Sequence, residues 1–203
     1  MAIIPERANQ EENTMKTGNL VKSSVLTITQ MAMLCALSLV LVILVRFPIF
    51  PAAPFLVYDM ADVPVLIGTI LLGPIPGFAL LVIVSVFQWL FLNPEGTWVG
   101  CVMHILASGM LVLPIGLITK KWKSTKPMLA SFVVGFLLMI TATIPLNLFF
   151  TVRFYGTPFE VVKSMMLPVI VPFNAIKGGL NLILTFLVIF PIRKFLHKNT
   201  GTM

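Results

Sequence analysis

Charge is scarce in this 203-residue chain: charged side chains make up 10% of it, and only seven of them are acidic. Hydrophobic residues reach 58% and the mean hydropathy is +1.03, values that exclude a soluble domain and point to an integral membrane protein. Cysteine and histidine are as rare, with two of each. Cys35 and Cys101 fall in separate apolar runs with no Cys or His at ligand spacing, so neither a disulfide nor a metal site is expected. The chain lacks the Gly-x-x-x-x-Gly-Lys-Ser/Thr loop and therefore does not itself hydrolyse ATP through a P-loop. It also lacks His-Glu-x-x-His and Gly-x-Ser-x-Gly, the local signatures of zinc peptidases and serine hydrolases. No basic recognition segment is present, which removes nucleic acid as a partner.

What the chain does have is long apolar runs. At ~20 residues per membrane span, they read as six segments over residues 25–47, 60–73, 76–92, 99–119, 128–150 and 166–192. The expected fold is an all-α membrane protein of six transmembrane helices. The second segment is too short to cross alone and must be packed against neighbours or be partly re-entrant. Lys16 and Lys22 precede the first span, Lys120, Lys121, Lys123 and Lys126 follow the fourth, and Arg193, Lys194 and Lys198 follow the sixth. By the positive-inside rule both termini are cytoplasmic, and the net charge of +7 reports topology and contact with anionic lipid. Residues 1–14 are polar and precede a second Met at position 15, so they read as a disordered leader or extension. Residues 15–203 then form one membrane domain. Residues 47–58, with prolines 48, 51 and 54 among aromatic and aliphatic side chains, read as a loop folded over the outer mouth. Residues 151–164 read as the second sizeable outer loop, and no internal repeat is visible.

The polar residues inside the apolar runs carry the functional information. Lys177 lies near the middle of the last run, where an ammonium costs at least ~2.5 kcal/mol on insertion scales. No intramembrane carboxylate is evident as its partner. Asn174 and Asn181 lie three residues before it and four after, so the three groups share one helix face. Asn147 follows Pro145 near the outer end of the fifth span, either as helix glue or as a ligand contact. Tyr58, Asp59 and Asp62 stand where the outer loop enters the second span. Asp59 at the N-cap with Asp62 at the third helical position would satisfy exposed amides, and a carboxylate at a cavity mouth is the compatible alternative. His104 has no ligand-spaced companion and reads as a hydrogen-bonded or packed residue; Trp98 reads as an interfacial aromatic. Ala32 and Ala36 form a small-xxx-small pair that admits a close neighbouring helix. Six spans, a polar pocket and no engine describe a passive facilitator or one subunit of a larger machine.

Four elements together resemble a known family: Leu56-Val57-Tyr58-Asp59-Met60-Ala61-Asp62-Val63-Pro64, the Gly73-Pro74 turn, Asn93-Pro94-Glu95-Gly96, and Pro172-Phe173-Asn174-Ala175-Ile176-Lys177-Gly178. In order and spacing they are similar to the riboflavin-specific substrate-binding (S) components of energy-coupling factor (ECF) vitamin transporters, the RibU family. The resemblance implies the ECF S-component fold and a pocket opening outward beneath the first outer loop. It also implies riboflavin as transported ligand rather than cofactor, with a transmembrane coupling subunit and two cytoplasmic ATPases as partners. On this reading Lys177, Asn174, Asn147, Asp59, Tyr58 and Asn181 form the ligand-binding set, and Ala32 and Ala36 the docking contact. The alternatives are an S component for another vitamin and a membrane-embedded enzyme using Lys177 and Asp59 as an acid/base pair.

Overall fold

The computed structural model describes residues 4–50, 56–92 and 97–200, with side chains over 24–50, 56–92 and 97–195. The chain is almost wholly helical, as lipid demands, because a helix satisfies its backbone polar groups within one segment. Helix α1 (Ile4–Leu44) opens the fold and carries its apolar stretch from Ser24 to Leu44. It reaches back to Ile4, through most of the polar stretch expected to lack structure. Ser38, buried, ties α1 to the next element by donating to the Ala61 carbonyl at 2.9 Å.

A two-stranded antiparallel hairpin, β1 (Arg46–Pro48) and β2 (Val57–Asp59), forms the base of the loop expected over the outer mouth. Arg46 pairs with Asp59, Phe47 with Tyr58 and Pro48 with Val57, and the Phe47 and Tyr58 rings lie 5.3 Å apart. Its tip, residues 51–55, lies outside the described residues. The hairpin delivers Asp59 to the start of α2 (Asp62–Leu72).

Helix α2 is the short second segment, with 11 residues, and Asp62 to Thr69 are buried without a break. A helix of this length spans only ~16 Å, and it is encased by α1, α3, α4 and α8. Gly73, at φ +101°, makes the left-handed turn into α3 (Pro74–Phe87), a conformation that favours glycine. The packing that follows is close. A Cβ on Gly77 would sit 2.7 Å from Thr69 Cα, and one on Gly116 would sit 2.6 Å from Pro74 Cα.

Helix α3 runs into a π-helical turn (Gln88–Leu92), and α4 (Trp98–Lys121) returns across the bilayer. Helix α5 (Thr125–Leu146) also ends in a π-helical turn (Asn147–Thr151). The second outer loop is then largely helical. It forms α6 (Val152–Tyr155) and α7 (Phe159–Met165), broken at Gly156 with φ +66° and at Pro158. A third π-helical turn (Met166–Ile170) leads into α8 (Val171–Thr200). Among the described residues, five helical stretches are long and apolar enough to cross a membrane, and α2 supplies the sixth, embedded helix.

The main apolar cluster is built on Leu66, Leu80, Leu81, Leu111, Ile115, Met128 and Ile189, and a smaller one on Val162, Met166 and Ile170 lies under the second outer loop. Large apolar side chains such as Ile28, Met33, Leu117, Leu137 and Leu187 are exposed around it, an arrangement suited to acyl chains as solvent. At the basic end Lys120 and Lys121 close α4, and Arg193 of α8 donates to the Lys123 carbonyl.

Candidate functional site

A cavity of about 780 Å³ opens at the end of the bundle opposite those basic residues, bounded by Thr97 at the start of α4. Its wall takes Arg46 and Asp59 from the hairpin, Asp62 from α2, His104 and Ser108 from α4, and Asn147, Asn174 and Lys177 from α5 and α8. All three π-helical turns border it, through Gln88 and Trp89, through Asn147 and Thr151, and through Ile170. Such turns re-aim side chains from a helix into a site.

Lys177 is paired, contrary to the expectation that no carboxylate was available to it. Its Nζ donates to Asp59 Oδ2 at 2.8 Å, and each side chain is 15% exposed. The expectation failed because Asp59 precedes the apolar run of α2 and looked like an outer-loop residue, whereas the hairpin folds it inward against α8. Asp59 Oδ1 accepts from the Ala61 amide at 3.1 Å, so Asp59 also organises the entry to α2, although Ala61 rather than Asp59 is the N-cap. Asp62 is the first residue of α2 rather than its third helical position.

Asn147 Nδ2 donates to the Thr143 carbonyl at 2.9 Å, and Asn174 Nδ2 to the Ile170 carbonyl at 2.8 Å. A carbonyl can only accept, so these bonds fix the orientation of both amides. Each asparagine keeps its Oδ1 and one N–H for a ligand. Thr151 adds a long 3.5 Å hydroxyl contact to Asn147 Oδ1.

Tyr58 and Asn181 are placed differently. Tyr58 is buried and donates to Asn181 Oδ1 at 3.1 Å, and neither residue borders the cavity. Asn181 shares a face with Lys177 but lies one helical turn deeper, where Tyr58 meets it. Asn181 Nδ2 is buried with no hydrogen-bond partner among the described residues.

A second polar group on the wall escaped the sequence reading. His104 Nε2 lies 3.1 Å from Asp62 Oδ1, His104 Nδ1 lies 2.9 Å from Ser85 Oγ, and Ser108 donates to Asp62 Oδ2 at 3.1 Å. His104 and Ser108 are four residues apart on one face of α4, a spacing that was visible in advance. Trp98 stands half exposed at the outer end of α4, edge-on to Phe154 at 5.2 Å, as an interfacial aromatic would. Ala32 and Ala36 are exposed on α1, pointing away from the bundle.

The arrangement suits a neutral, flat ligand with an apolar body and a polar edge: apolar walls, two oriented amides and one ammonium. The profile of the family "ECF transporter, substrate-specific component" matches residues 26–189. The chain belongs to that family. Among curated proteins, this substrate-specific component is similar to the riboflavin transporter RibU of Lactococcus lactis subsp. cremoris (strain NZ9000), at 30% identity over 72% of this chain and 82% of the relative. RibU of Staphylococcus aureus (strain TCH60) is 29% identical over 82% of this chain and 90% of its own length. The riboflavin transporter FmnP of Bacillus subtilis (strain 168) is 28% identical over 82% and 92%. The solved S component of a bacterial ECF transporter superposes with a TM-score of 0.71 at 28% identity, covering 85% of this chain and 98% of that one. This substrate-specific component is therefore a multi-pass membrane protein of a transport family and not an enzyme. The acid/base reading of Lys177 and Asp59 falls with that, although the two do meet.

Proposed function

We propose that this substrate-specific component captures riboflavin in the outer cavity and delivers it across the cell membrane as part of an ECF transporter. The observation that carries the reading is the convergence of Asn147, Asn174 and Lys177 on one cavity, in a chain whose relatives are named riboflavin transporters. The isoalloxazine ring has an apolar body and a pyrimidine edge with both donors and acceptors. Lys177 donates to a carbonyl oxygen or ring nitrogen of that edge. The oriented amides of Asn147 and Asn174 accept from its imide N–H and donate to its remaining acceptors. Ribityl hydroxyls then reach toward the mouth, where Asp59 accepts from them. In this scheme Tyr58 and Asn181 act from behind the wall, by bracing the hairpin against α8.

The ECF module supplies the energy, as a transmembrane coupling subunit and two cytoplasmic ATPases. Ala32 and Ala36 leave a shallow surface on α1 for a helix of the coupling subunit. Titrating purified protein into riboflavin tests the ligand: flavin fluorescence is quenched at one ligand per chain. Absence of quenching at micromolar protein, with binding of thiamin or biotin in its place, refutes the assignment.

A further inference from the structure

Two carboxylates, Asp59 and Asp62, stand on the wall that carries Lys177. Lys177 is bonded to Asp59 at 2.8 Å, and Asp62 lines the same cavity as Lys177. A lysine drawn between two buried carboxylates would turn its N–H groups toward those oxygens and away from a ligand. Helix α4 competes with Lys177 for Asp62, with His104 on Oδ1 and Ser108 on Oδ2, each at 3.1 Å. The Asp62 side chain is only 4% exposed, so it has no solvent to turn to.

The ring of His104 is itself held. Ser85 Oγ donates to the Leu81 carbonyl at 2.7 Å and lies 2.9 Å from His104 Nδ1. A serine hydroxyl has one proton, so with that proton on the Leu81 carbonyl it is Nδ1–H that donates to Ser85 Oγ, while Nε2 shares a proton with Asp62 Oδ1.

We infer that His104 is a positioning residue for ligand capture: it sequesters Asp62 so that Lys177 keeps its spare N–H groups for the ligand. The inference rests on the riboflavin reading above. Without His104, the Asp62 carboxylate loses its partner on Oδ1, turns to Lys177 and withdraws the ammonium from the cavity. Because the effect passes through Asp62, removing that carboxylate as well cancels it. A histidine that only packs α4 against α2 would show no such cancellation.

The experiment is riboflavin affinity by fluorescence titration of the full chain, for wild type, His104→Leu, Asp62→Asn and the double variant. His104→Leu weakens binding ~10-fold or more, the loss of one charged hydrogen bond. The double variant binds more tightly than His104→Leu and as tightly as Asp62→Asn. Equal affinity of His104→Leu and wild type, or a double variant no better than His104→Leu, overturns the inference. If His104→Leu fails to fold, His104→Ala takes its place in the same four-way comparison, and the same outcomes support or overturn the role. A wild-type chain that binds no riboflavin overturns the ligand reading itself, whereas wild-type binding without rescue overturns only the role of His104.

Discussion

Replacing Lys177 by Met separates two roles that the structure gives one side chain. The substitution keeps the length of the stem and removes the ammonium, which bonds Asp59 at 2.8 Å and faces the cavity. Asp59, 15% exposed, is then left without its cation. Breaking such a pair by deleting one partner costs about 3 to 5 kcal/mol when burial is complete, and the residual exposure places this case toward the lower end. Loss of the ligand contact costs about 1.5 to 3 kcal/mol, or roughly 10- to 150-fold in dissociation constant. The two losses come apart in the variant carrying both Lys177→Met and Asp59→Asn. Neutralising the orphaned carboxylate restores thermal stability toward wild type but leaves riboflavin binding weak, because nothing returns the donor. Thermal unfolding and flavin fluorescence titration of the three proteins in detergent read both quantities. If the double variant recovers affinity along with stability, Lys177 acts through the ion pair alone. An unchanged affinity in Lys177→Met removes it from the site.

Gly77→Ala and Gly116→Ala each force a Cβ to within 2.7 Å and 2.6 Å of a neighbouring backbone Cα. Each is expected to lower stability by about 1 to 3 kcal/mol, measured as a fall in Tm, and an unchanged Tm would refute the close approach of α2, α3 and α4. Ala32→Leu with Ala36→Leu, both on the exposed face of α1, preserves riboflavin binding by the isolated chain and abolishes ATP-dependent uptake with the coupling subunits. Uptake at the original rate would dissolve the docking role. A spin label at Phe47, exposed on β1, is expected to lose mobility when riboflavin is added, since the hairpin carries Asp59 into the site. Equal mobility would make the hairpin a fixed cap.

The membrane-crossing helices were legible because apolar runs of this length have few other fates, and even the short α2 was recognisable as a segment needing neighbours. The outer segment of α6 and α7 was not, because helices of 4 and 7 residues separated by Gly156 and Pro158 have the composition of a loop. Within the site, Lys177, Asn174 and Asn147 stood out as polar groups in lipid-facing sequence, and all three border the cavity. The pairing of Lys177 with Asp59 spans 118 residues, and helical periodicity reports which face a residue shares but not what faces it. Asn181 shows the same limit: it shares the face, yet the four-residue step carries it past the cavity floor to Tyr58. The Ser85, His104, Asp62 and Ser108 group joins three helices and left only the spacing of His104 and Ser108 as a trace.

The most direct test of the account is an experimental structure of the protein with riboflavin bound. The flavin is expected in the outer cavity, its pyrimidine edge within hydrogen-bond distance of Lys177 Nζ and the side-chain amides of Asn147 and Asn174. Riboflavin seated elsewhere on the molecule, or in the cavity with that edge turned away from all three residues, would contradict it.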